Sequence, residues 1–220
     1  MFYLIKNLIN KKNSTNCGVE KVNNIVAFDI ETKNLSTEIG GWGNTHMFLV
    51  STVATWDGTI GKAYVEEELM DKVIEKTDMQ VLPLRQLKYD LDDMFKAGTK
   101  LLGHNIVAFD LPVLRDSLDI YCVRKFLNEE QYIDTSKEIT KSHGERISLQ
   151  NLVDNTLGET KSLESIMAPA LWKAGEYQEV VDYCLKDCKL VYDLYKHGLD
   201  NTIKAFSIDK EEFIELKMEW

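Results

Sequence analysis

Asp29 and Glu31 stand two apart in the apolar run NIVAFDIET, a spacing at which two acids can act together. On a strand, residues i and i+2 project from one face, so both carboxylates point one way while Phe28 and Ile30 point the other. Burying two carboxylates is costly without a compensating charge, and a divalent cation supplies one. A strand end that reaches solvent explains the pair equally well. Asp110 precedes Leu111-Pro112, which signals a helix start with Pro in the first turn. Its carboxylate is either a ligand or an N-cap for the free amides of that helix. Tyr183 and Asp187 are four apart in a helix-periodic segment, so they share a face one turn apart, as residues of a solvated helix face also do.

The elements that must position these groups follow from local signals. Strands are expected at Asn24 to Ile30, Met47 to Trp56 and Thr59 to Val65, the last two joined through the turn pair Asp57-Gly58. A helix is expected from Leu82 to Phe95, where Leu84, Leu87, Leu91, Met94 and Phe95 recur at helical intervals before a stop at Gly98. A short strand at Lys100 to Asn105, the helix that Asp110 opens and a strand at Gln131 to Ser136 come next. Ser148 to Leu157 reads as a helix closed by Gly158, and Lys161 to Gly175 as loop-rich. A long helix is expected from Glu176 to Lys196, and Ile208 to Met218 reads as a charged amphipathic helix. A meander followed by alternating helix and strand predicts an α/β domain, a mixed sheet of antiparallel and parallel strands flanked by helices.

The bulk properties bound the function. At 220 residues, 44% of them hydrophobic, the chain fits one ordinary domain. The opening MFYLIKNLIN is apolar but too short to span a bilayer and is interrupted by Lys6, so residues 1–24 read as a leader, neither signal nor anchor. That leader either docks on the core or ends as a disordered KKNSTN stretch. Four cysteines without a regular framework suit an intracellular, reducing compartment, and Cys184 and Cys188 lack companions at zinc spacing. The net charge of −10 argues against a broad sequence-independent phosphate-binding surface. It does not argue against an enzyme whose acids hold metal ions, because those ions reverse the sign locally.

Together, FDIET (Phe28 to Thr32), HNIVAFDLPVL (His104 to Leu114) and YCLKD (Tyr183 to Asp187) resemble, in order, the three motifs of the DEDD exonucleases. The histidine branch of that family would place His five residues before the last acid, where this chain has Asp182. The tyrosine branch, DEDDy, is therefore the nearer likeness. The wording is similar to the proofreading exonuclease domains of family B and bacteriophage replicative DNA polymerases, over roughly Ile25 to Tyr195.

This resemblance implies a ribonuclease H-like fold over residues 25–197, with 198–220 as a helical tail. It implies two Mg²⁺ or Mn²⁺ ions held by Asp29, Glu31, Asp110 and Asp187, one activating water and one stabilising the leaving 3′ oxygen. Tyr183, protonated at neutral pH, would orient the water or phosphate. Thr32, Leu35 and Asn105 would contact the strand, although Leu35 is equally explained as core packing. Lys33, Arg115, Arg124, Lys141, Arg146 and Lys173 are candidate phosphate contacts or plain solvated charges, and Trp172 is expected to pack in the core rather than stack on a base. The expected activity is removal of nucleoside monophosphates from single-stranded or frayed DNA 3′ ends. Such a protein works alone or as a proofreading subunit of a separate polymerase, in the cytoplasm, and is encoded by a cell or by a phage or virus. The alternatives are an RNA-trimming exonuclease similar to ribonuclease D, a non-catalytic binding module with the same fold, and a ribonuclease H-type endonuclease.

Overall fold

The computed structural model describes residues 24–159 and 165–220. The leader lies outside the described residues, as does the first part of the segment read as loop-rich. Fifteen helices and strands follow one another along the described chain. They are β1 (Ile25–Thr32), β2 (Val50–Trp56), β3 (Gly61–Val65), β4 (Met79–Pro83), α1 (Leu87–Lys96), β5 (Lys100–Gly103), α2 (Asp110–Ser117) and α3 (Val123–Asn128). After these come β6 (Tyr132–Asp134), α4 (Thr135–His143), α5 (Leu149–Leu157), α6 (Ala168–Ala174), α7 (Tyr177–Asp200), β7 (Ile203–Ser207) and β8 (Glu212–Leu216).

The six-stranded sheet has the order β4-β3-β2-β1-β5-β6. β1 pairs antiparallel with β2 and parallel with β5, so the expected mixed sheet is present with the first acidic strand near its centre. A central strand is covered on both faces, which is why its sequence is apolar almost throughout. Phe28 and Ile30 pack with Leu87, Leu91, Leu111, Leu114 and Phe126 from α1, α2 and α3. Ile25 and Ala27 face the opposite core, made by Leu152 and Val153 of α5 and by Val181, Cys184, Cys188 and Val191 of α7. The period-two alternation of β1 therefore turns Asp29 toward α7.

Local chemistry explains several boundaries. Asp57 Oδ1 accepts from the amides of Thr59 and Ile60 at 2.8 and 2.7 Å, and Gly58 takes φ +98°, which closes the expected hairpin. Ser148 caps α5 by accepting from the Asn151 amide, and Gly158 ends it in the left-handed conformation. The β1–β2 register slips between Glu31/Thr52 and Thr32/Val50, so Ser51 is an extra residue. That is a β-bulge beside the acids, the kind of irregularity that re-aims side chains at strand ends.

Four expectations are corrected. The tail is not a helix: β7 and β8 form an antiparallel hairpin in which Ala205, Leu216 and Met218 join the α5–α7 core. Alternation in EFIELKM at period two prevails over the helical spacing that so short a run also satisfies. The side chain of Asn151 secures the hairpin, Oδ1 accepting from the Phe206 amide and Nδ2 donating to the Phe206 carbonyl, both at 2.8 Å. The segment Ala168–Ala174 is helical, because Pro169 falls in the first turn, where its missing N–H is harmless. Met79–Pro83 forms an additional edge strand parallel to β3, and the following helix begins only at Leu87. The second strand starts at Val50, after a short 3₁₀ turn at Thr45–Met47.

Gly103 ends β5 where two chain segments meet closely. A Cβ there would lie 2.9 Å from the Phe28 carbonyl oxygen and 2.2 Å from Ile106 Cγ2. Gly103→Ala is expected to destabilise the protein by about 1–3 kcal/mol through overpacking. Gly43→Ala, where nothing lies within 4 Å, should stay within about 0.5 kcal/mol of the parent. Urea unfolding midpoints of the two variants test this difference.

Candidate active site

At the carboxyl ends of β1 and β5 the chain opens a cleft of about 890 Å³. Parallel strands of α/β sheets commonly bind ligands at such ends. Asp29 and Glu31 from β1, Asp110 from the start of α2 and Asp187 from α7 all line it. Three segments widely separated in sequence are thereby brought to one place. Glu31, Asp110 and Asp187 are buried, with 8, 4 and 5% of their surfaces exposed.

Asp110 is the first residue of α2, and its carboxylate does not cap the helix. It reaches across to β1, where Oδ1 accepts from the Ile30 amide at 3.2 Å. Burial pushes its pKa up to about 7; hydrogen bonds from its own amide and from that of Ile30 work against the rise, and the charge of Asp134 adds to it. Beside Asp29, the Cys184 thiol donates to Oδ2 at 3.4 Å. Burial raises the Cys184 pKa well above the ordinary thiol value and the Asp29 charge reinforces this, so the sulfur keeps its proton.

Oxygen donors of this kind suit hard divalent ions such as Mg²⁺ and Mn²⁺. A carboxylate whose burial disfavours its charge is one that a cation would stabilise. The donor set therefore fits such an ion. Among the described residues, no three His, Cys, Asp or Glu side chains converge tightly enough to form a ready coordination cluster. Like-charged carboxylates repel, and those of Asp110 and Asp29 are turned toward the Ile30 amide and the Cys184 thiol.

The loop between β5 and α2 is held by a residue that the sequence did not single out. Asp134, 2% exposed at the end of β6, accepts from the amides of Asn105 at 2.8 Å and Val107 at 3.0 Å. It also accepts from the Lys137 amide at 3.2 Å, capping α4. Asn105 sits at φ +72°, a left-handed conformation that Asn tolerates. Thr135 donates its hydroxyl to the Gly103 carbonyl at 3.2 Å, so at 2.9 Å the same oxygen accepts from His104 Nδ1. His104 is thus fastened to the start of α4 while it lines the cleft.

Thr32, Leu35 and Asn105 all line the cleft as well. Thr32 donates to the Asn34 carbonyl, and Glu38 ties the Leu35 amide to Lys173 of α6. Tyr183 lies one turn before Asp187 on α7, but it is 1% exposed and is not part of the cleft wall. Trp172 is buried against Tyr177, as expected of a core residue. Among the basic candidates, Lys33 pairs with Glu66, Arg115 with Asp116, Lys141 with Glu138 and Lys173 with Glu38, while Arg124 lies over the Tyr121 ring. Arg146 alone of the six lines the cleft, and among the described residues it forms no ion pair.

The sheet has a central strand bearing two acids, flanked by one antiparallel and one parallel neighbour, and residues 26–199 of the chain match the family model of the RNase_H superfamily. The chain belongs to this superfamily. No curated protein matches it. RNase H-like folds commonly serve nucleases that use divalent metals, and the matched range includes all four acids of the cleft. No helix among the described residues is long and apolar enough to cross a membrane.

The raised pKa of Asp110 carries a pH dependence. An acid whose folded pKa exceeds its unfolded value contributes stability that is complete below the unfolded value of about 4 and is lost as pH rises through about 7. In EDTA, the wild type is expected to gain melting temperature between about pH 8 and about pH 5, relative to Asp110→Asn measured under the same conditions. Parallel profiles for the two proteins would contradict this.

Proposed function

We propose that this chain is a DEDDy-type 3′–5′ exonuclease that removes nucleoside monophosphates from single-stranded or frayed DNA ends. The observation that supports this most directly is the opening of four acids, from three separate segments, onto one cleft of ligand size. The tyrosine-branch spacing of Tyr183 and Asp187 favours an exonuclease over other members of the superfamily.

Asp29, Glu31, Asp110 and Asp187 would hold two Mg²⁺ or Mn²⁺ ions. Bound there, such ions supply the positive charge needed at the phosphoryl group and the leaving oxygen. The protein's own groups place the strand. Thr32 and Leu35, on one wall, bound the terminal nucleotide, and Asn105, held by Asp134, contacts the backbone from the other. Arg146 supplies a cation for a phosphate at the edge of the cleft. Tyr183, buried one turn before Asp187 on α7, acts through the hydrogen bond of its hydroxyl, which orients the attacking water or the phosphate.

The protein works either alone or as the proofreading subunit of a separate polymerase, in an intracellular reducing setting. Cys122, Cys184 and Cys188 are free thiols, as that setting allows. With a net charge of −10, the isolated chain should bind long strands weakly and distributively, with a partner supplying the basic track.

The test is incubation with 5′-labelled single-stranded DNA and matched RNA in Mg²⁺ or Mn²⁺, with EDTA controls. A metal-dependent ladder shortening from the 3′ end is expected, stronger on DNA. Asp29→Ala and Asp187→Ala should each reduce the rate by about a hundredfold or more, as loss of a charge-stabilising group does. Tyr183→Phe should reduce it by about tenfold, the scale of one hydrogen bond. A stronger ladder on RNA would reassign the substrate, and cutting of a circular single strand would make the enzyme an endonuclease. Absence of degradation under every metal sinks the proposal.

A further inference from the structure

Trp42 is the largest apolar side chain left open at the cleft, with 67% of its surface exposed. It belongs to the β1–β2 connection, in the sequence Gly40-Gly41-Trp42-Gly43. A single exposed aromatic is ordinary on a protein surface. This one is seated. Its ring meets Phe109 edge-on, with centroids 5.2 Å apart and planes at 80°, and it lies 6.0 Å from the buried Phe48. Phe48 and Phe109 are themselves T-shaped at 5.0 Å. Phe109 directly precedes Asp110, so a chain of ring contacts fixes Trp42 relative to an acid of the site.

The surroundings are specific to one kind of ligand. The cleft combines carboxylates at its floor with an apolar rim to which Trp42, Leu35 and the exposed Ile166 contribute. Neither Gly41 nor Gly43 would bring a Cβ within 4 Å of a group beyond its chain neighbours, so the backbone on either side of Trp42 is uncrowded. A charged, hydrogen-bonding floor with a flat aromatic at its mouth suits a molecule with a phosphate at one end and a planar ring at the other.

Building on the proposed nuclease function, we propose that Trp42 is a stacking platform for an unpaired nucleobase within the last two nucleotides of the strand. Every base has a π-face, so such a platform is sequence-tolerant. A paired base offers no free face, so the platform also selects single-stranded or frayed ends. The β1–β2 connection thereby acts in substrate choice.

The experiment compares the wild type, Trp42→Ala and Trp42→Phe on single-stranded DNA with a normal base or an abasic residue at the terminal or penultimate position. With Mg²⁺, the wild type is expected to discriminate against the abasic residue at one of the two positions. Trp42→Ala should lose that discrimination and raise KM by about tenfold or more, the scale of one lost stack. Trp42→Phe should restore part of both. In a second arm, with Ca²⁺ in place of Mg²⁺, the oligonucleotide should quench the fluorescence that distinguishes wild type from Trp42→Phe.

Strand degradation with unchanged KM and unchanged abasic discrimination in Trp42→Ala overturns the platform and leaves the exonuclease intact. Trp42-dependent quenching without degradation supports the platform and removes the exonuclease assignment. Neither quenching nor degradation overturns both.

Discussion

Four carboxylates brought to one cleft repel one another and resist desolvation, and much of the architecture consists of what holds them there. Asp29 and Glu31 ride on a central strand that hydrogen bonds on both sides keep in place. Asp110 is carried by a helix whose first turn is tied to that strand through the Ile30 amide. Asp187 comes from the longest helix, which packs along the opposite core. Burial alone disfavours such a cluster. The two cores provide the opposing free energy, so the fold tolerates a locally unfavourable arrangement that becomes favourable when a cation is present.

The acidic motifs were legible because each carries its own local signal. Alternation in VAFDIE fixes a strand and the side on which its acids lie, and Asp-Leu-Pro marks a helix start. The spacing of Tyr183 and Asp187 sets a common helical face, although the burial of Tyr183 behind the cleft wall depends on tertiary packing that spacing does not encode. Asp134 went unassigned because its partners, Asn105 and Val107, lie 29 and 27 residues away. Trp42 has no periodic neighbours to mark it; only the fold brings Phe48 and Phe109 against it.

The misread elements share a physical cause. Met79–Pro83, of which only Leu82 and Pro83 fell within the expected helix, and Glu212–Leu216 are five residues each, too short for their apolar positions to mark a strand. Pairing decided both: the first adds to an existing edge, and the second folds back on β7 and is fastened by Asn151. Pro169 suggested a break, but its position in the first turn makes it a helix start. Local chemistry was thus misleading where a neighbour distant in sequence determined the outcome.

The bulge at Ser51 separates two parts of the β1–β2 pair. On its inner side, the pairing of Asp29 with Ala54 and of Glu31 with Thr52 sets the orientation of the acids. On its outer side begins the connection that carries Trp42 to the mouth of the cleft. An irregular step at this junction absorbs changes in the length or twist of the connection before they reach the inner register. The two regions can therefore diversify separately: the rim can be rebuilt for another substrate shape while the acidic centre keeps its alignment, as an interchangeable fitting on a fixed mount.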